Sequence, residues 1–104
     1  MIQTAKSINK VTIRLTEERW IHITEEHSEM AGYLYEVLET IETPNAVYEG
    51  NAGELLATRE IEKGKFIIVV YRELNSEDGF VITSFLTKRV KQIERRKKIW
   101  QAQA

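Results

Sequence analysis

A chain of 104 residues with 42% hydrophobic and 30% charged side chains is the size of one domain and can bury a core. It contains no cysteine, which excludes a disulfide framework, a thiolate metal cage and a thiol nucleophile, and which suits the cytoplasm. Its longest uncharged apolar run, Phe66 to Tyr71, is far shorter than the roughly 20 residues of a membrane helix, and the opening residues lack the apolar stretch of a signal peptide.

In chain order, residues 1–9 read as a loose lead-in. Val11 to Leu15 alternates with period two, as a half-buried strand does. Thr16 is a helix N-cap followed by Glu17 and Glu18, where the helix dipole favours anions, and Trp20, Ile21 and Ile23 supply the apolar side. A second helix is expected from Ser28, with Met30, Leu34, Val37, Leu38 and Ile41 as its buried stripe and Pro44–Asn45 as its end. The period then changes. Ala46 to Glu49 and Glu54 to Glu60 are two strands around the turn Gly50–Gly53. After Lys63–Gly64–Lys65, the run Phe66 to Tyr71 has the β-branched and aromatic content of a central strand covered on both faces. Asn75 to Gly79 connects to a strand over Phe80 to Leu86. Val90, Ile93 and Trp100 place a basic C-terminal helix over 88–102. The sum is a single α+β domain: an N-terminal strand, two helices, an antiparallel meander of about four strands and a last helix.

Charge is unevenly spread along this order. Up to position 87, eight basic residues face fifteen acidic ones, a net −7. From Lys88 onward, seven basic residues face only Glu94, a net +6. A basic tail on an acidic body suggests a polyanion-binding element, or a solvated face paired with the body's own acids.

The order of several short motifs resembles a known family. Trp20-Ile21-His22-Ile23 with His27-Ser28-Glu29-Met30, Pro44-Asn45-Ala46-Val47-Tyr48, Arg59, Val70-Tyr71-Arg72 and Gly79-Phe80-Val81-Ile82-Thr83-Ser84-Phe85 together are similar to the phage-type nucleases of the barnase/EndoU/colicin/RelE-like (BECR) fold. The likeness runs from about Val11 to Trp100; Ser28 stands where the family usually has proline. It implies a barnase/RelE-like fold and a metal-independent, toxin-like endoribonuclease without cofactor. Its reaction is attack of the ribose 2′-hydroxyl on the adjacent phosphate.

That chemistry needs proton transfer and cations on the phosphate. An imidazole, with an ordinary pKa of about 6.5, suits the first task and a planar guanidinium the second. The candidates are His22 and His27 as acid and base, with Arg59, Arg72 and Thr83 on the phosphate. Ser84 is the substitute for Thr83, because the two point to opposite faces of one strand. Lys88 adds charge, and Tyr71 is a substrate contact or a core aromatic. The two histidines lie five apart, about 140° around a continuous helix, so they converge only if the chain breaks between them. This spacing also argues against a zinc pair. Each candidate has a plainer alternative, with His22 half-buried between two isoleucines, His27 at a helix junction, and the arginines paired with Glu60 and Glu73. RNA is the expected partner, with a protein inhibitor as a further one. The rival reading is a noncatalytic module on the same fold that docks on nucleic acid or protein. DNA binding through the last helix alone lacks a helix-turn-helix partner.

Overall fold

The computed structural model describes residues 2–103. Their elements run β1 (Ile2–Lys6), β2 (Thr12–Thr16), α1 (Glu17–Glu26), a 3-10 turn (Ser28–Met30), α2 (Leu34–Glu42), β3 (Ala46–Glu49), β4 (Leu55–Glu62), β5 (Lys65–Glu73), β6 (Asp78–Thr87), α3 (Val90–Glu94) and β7 (Lys98–Gln101). The fold is α+β, with one mixed sheet of seven strands in the order β1–β2–β6–β5–β4–β3–β7. Neighbours are antiparallel except β2 and β6, which run parallel over Thr12–Arg14 and Asp78–Phe80. The helix pair carries the chain from β2 across one sheet face to β3, and β3 to β6 form the expected meander.

Three local readings are corrected. Most of the lead-in is β1, paired with β2 from Ile2↔Thr16 to Lys6↔Thr12; Met1 lies outside the described residues. The second helix begins at Leu34, because Gly32 adopts a φ of 92° that a helix does not contain, leaving Ser28–Met30 as a single 3-10 turn. The basic C-terminal helix over 88–102 is helical only at Val90–Glu94. Four consecutive cations, Arg95 to Lys98, repel one another along a helix, and β3 offers an edge to the β-forming Ile99 and Trp100. The chain therefore ends in β7, with Trp100 opposite Val47. Segment 88–97 becomes a strap from β6 to β7.

Alternation along the strands divides the core in two. Ile13, Leu15, Val47, Ala57, Ile67, Val69, Tyr71 and Val81 face the helices, where Ile23, Met30, Val37 and Ile41 cover them. On the opposite face a smaller cluster, Ala46, Tyr48, Leu56 and Ile68, is covered at one end by Ile93 of the strap. Tyr71 is 0% exposed and its hydroxyl has no hydrogen-bond partner among the described residues. Burial pushes its pKa well above the ordinary phenol value. An unpaired buried hydroxyl costs roughly 1–3 kcal/mol, so Tyr71→Phe should stabilise the domain by about 1 kcal/mol, read as a higher urea midpoint at constant slope.

Arg14 fastens the parallel pair. Its Nε and Nη2 donate to the two carboxylate oxygens of Asp78 at 2.8 and 3.1 Å. Those bonds are the main reason the Asp78 carboxyl titrates below the usual carboxylate range. A lowered folded-state pKa gives stability that is complete above the unfolded value of about 3.9 and is lost as pH falls through the folded value. Asp78→Asn should therefore destabilise the domain at pH 7, and the gap from wild type should close below about pH 4 in acid titrations followed by circular dichroism.

Candidate functional site

The helix-free face is the place where side chains remain accessible above a rigid sheet. A β-bulge brings Thr83 to it. Val70 pairs with Thr83 and Tyr71 with Val81, so Ile82 is the extra residue of β6. This insertion resets the alternation, and Val81 and Thr83 face opposite sides. Thr83 then shares the helix-free face with Val70, and Phe85 shares it with Ile68. Beyond the bulge, Arg72 lies on the same face, opposite Phe80, and Arg14 follows beside Phe80 on β2.

His27 joins this face from the helix layer. β2 pairs with β6 only as far as Phe80, and past that point α1 and the 3-10 turn lie along β6. His27 closes α1, its N–H donating to Ile23 O at 2.7 Å, and its carbonyl accepts the Met30 N–H at 2.9 Å. The imidazole rests on the Phe85 ring with centroids 5.8 Å apart, and Nδ1 is 3.6 Å from Glu29 Oε2. Sequence alone gives Phe85 no role; its signal is its position two residues after Thr83, on the same face of a strand.

The other imidazole is elsewhere. α1 runs from Glu17 to Glu26 and the helix breaks at His27, whose φ of −131° and ψ of 76° are not helical, yet the two imidazoles have different surroundings, carboxylates of α1 for His22 and Phe85 for His27. His22 is exposed, 4.0 Å from Glu18 Oε1 and 3.8 Å from Glu25 Oε1. It lines a cavity of about 340 Å³ with Thr16, Glu18, Arg19 and Glu26. These carboxylates repel a phosphate.

The remaining candidates divide by face. Arg59 stands opposite Ile67 on the helix side of β4, where its Nη1 meets Glu39 Oε1 at 2.7 Å and Thr43 Oγ1 at 3.2 Å. Arg59 and Arg72 thus occupy adjacent strands but opposite faces. Ser84 is 0% exposed and donates to Ile68 O at 2.7 Å, so it is a buried fastening and not a substrate ligand. Tyr71, equally buried against the helices, is likewise removed from the substrate contacts. Lys88 is exposed just beyond β6. Arg72 donates Nη2–H to the Ala52 carbonyl at 2.8 Å. Thr83 makes no side-chain hydrogen bond among the described residues, and its hydroxyl is accessible.

The structure therefore places Thr83, Arg72 and Phe85 on one face of the sheet with His27 against Phe85, and puts His22, Arg59, Ser84 and Tyr71 elsewhere. Among the described residues no His, Asp and Glu group is arranged to hold a metal ion, and no helix is long and apolar enough to cross a membrane. No protein-family model, curated protein or solved structure matches the chain.

Proposed function

We propose that this domain is a metal-independent, toxin-like endoribonuclease that binds RNA across the helix-free face of its sheet. The observation that supports the reading is that β5 and β6 put Arg72, Thr83 and Phe85 on that face while the His27 imidazole, from the end of α1, lies against Phe85. His27 takes the proton of the ribose 2′-hydroxyl. The 2′-oxygen then forms a bond to phosphorus as the bond to the 5′-oxygen breaks, and water protonates the departing oxygen. The Thr83 hydroxyl donates to a non-bridging oxygen as its charge grows, and Arg72, held at the β3–β4 loop, adds positive charge to the same face. Phe85 fixes the plane of the imidazole.

Charge decides where RNA can lie. A body of net −7 repels it, whereas the helix-free face carries Arg72 and is bordered by the basic strap. The cytoplasm is the compartment that supplies RNA; an acidic protein inhibitor would compete for the same face. Incubating the protein with labelled single-stranded RNA in EDTA tests the reading: 2′,3′-cyclic phosphate ends are expected, and intact RNA at every protein concentration would refute catalysis.

The separation of His22 from His27 favours a second reading, a noncatalytic nucleic-acid-binding module on the same fold. RNA binding that persists without any cleavage would establish it.

A further inference from the structure

The β3–β4 loop draws two arginines toward one carboxylate. Arg72 reaches it from β5 through the Ala52 carbonyl, 2.8 Å away. Arg96 reaches it from the strap, donating Nη1–H to Asn51 Oδ1 at 2.9 Å. Among the seven basic side chains of segment 88–98, Arg96 alone is half-buried, and the other six are exposed. Gly53 holds the loop at a φ of 89°, and a Cβ there would lie 3.1 Å from Arg72 Nη1, so the backbone is already close against the guanidinium.

Glu54 sits within this arrangement, its Oε1 accepting the Ala52 N–H at 2.8 Å. That bond and its own backbone amide hold its carboxyl below the usual range, with Arg72 and Arg96 adding to the effect. The carboxylate is thus engaged in shaping the loop, and two guanidiniums against one carboxylate leave the locus a net positive charge. A guanidinium has five N–H donors, and among the described residues each of these arginines makes one hydrogen bond to the loop. Their remaining donors can meet a group with several charged acceptor oxygens, and a phosphate is the group a guanidinium fork fits.

We propose that Arg72 and Arg96 form a phosphate clamp at the β3–β4 loop, a subsite for a backbone phosphate of single-stranded RNA beside the one held at Thr83. The identity of the ligand rests on the ribonuclease reading; the pairing of the arginines does not. Asn51 and Glu54 position the clamp.

Binding of a 2′-O-methyl oligouridylate, which cannot be cleaved, is measured by fluorescence anisotropy from 50 to 200 mM salt. Losing one phosphate contact on a single strand should reduce the slope of log K against log salt by about 0.7 for Arg96→Gln. Asn51→Ala, which frees Arg96 without changing charge, should weaken binding several-fold at an unchanged slope. Wild-type affinity and slope in Arg96→Gln would overturn the clamp, and persistent RNA cleavage by the wild type would show that the ribonuclease reading survives. Inorganic phosphate, titrated against the wild type while the arginine Nε–H resonances are followed, reads the clamp without RNA. Shifts at both Arg72 and Arg96 support it; unmoved resonances overturn it even in a protein that does not cleave RNA.

Discussion

Replacing His27 with alanine should lower RNA cleavage by about 10²–10⁴-fold, the usual effect of removing a general acid–base group. The loss should fall mainly on kcat, because the imidazole acts on a proton and not on the phosphate charge. Position distinguishes it from the other histidine. His27 lies against Phe85 on the face that carries Thr83 and Arg72, whereas His22 stands among Glu18, Glu25 and Glu26. His22→Ala should therefore change the rate less than about tenfold, well short of a general acid–base effect. Equal losses from both variants would restore the two-imidazole mechanism. No loss from His27→Ala would remove this residue from the reaction. Phe85→Ala should produce part of the His27 effect, since it removes the ring's support while leaving the imidazole in place.

The largest loss of stability is expected at Met30. This side chain is 0% exposed within the helix-side core, although it belongs to a turn of three residues. Met30→Ala should cost about 2–5 kcal/mol through lost burial and the cavity left behind. At about 4–8 °C per kcal/mol for a domain of this size, the melting temperature should fall by roughly 8–40 °C. The turn also fixes His27 through the bond from Met30 N–H to its carbonyl. Cleavage by this variant should be impaired even at temperatures where circular dichroism shows it folded. A melting temperature within a few degrees of wild type would mean that the turn is not anchored by Met30.

Much of the architecture was legible because periodicity reports burial. The stripe of α2 and the β-branched run of β5 stated their own secondary structure, and Thr16 does cap α1, accepting the Arg19 N–H at 3.0 Å. The misreadings arose where distant residues decide. The lead-in is a strand because β2 has an edge to pair with, and the last residues are a strand because β3 has one. Neither edge can be seen from the local sequence. Ile93 and Trp100 suggested one apolar helix side, but they belong to opposite faces of the sheet.

At the site, period two separated Thr83 from Ser84 correctly, but it could not reveal that the bulge at Ile82 decides which of them meets the open face. Likewise, adjacency of the β4 and β5 strands was readable, whereas the register that sends Arg59 and Arg72 to opposite sides was not. The inward turn of Arg96 has no sequence signal at all, since its neighbours are equally basic.

β7 has a protective consequence. It covers the outer margin of β3 with only four residues, and it follows a stretch of basic residues at which trypsin cuts. A single nick between Arg95 and Lys98 would let that short strip peel away, uncovering a row of backbone donors and acceptors ready to recruit another chain. Loss of the carboxyl-terminal residues, checked by mass, should therefore exchange the basic edge of β7 for the apolar edge of β3 and raise light scattering.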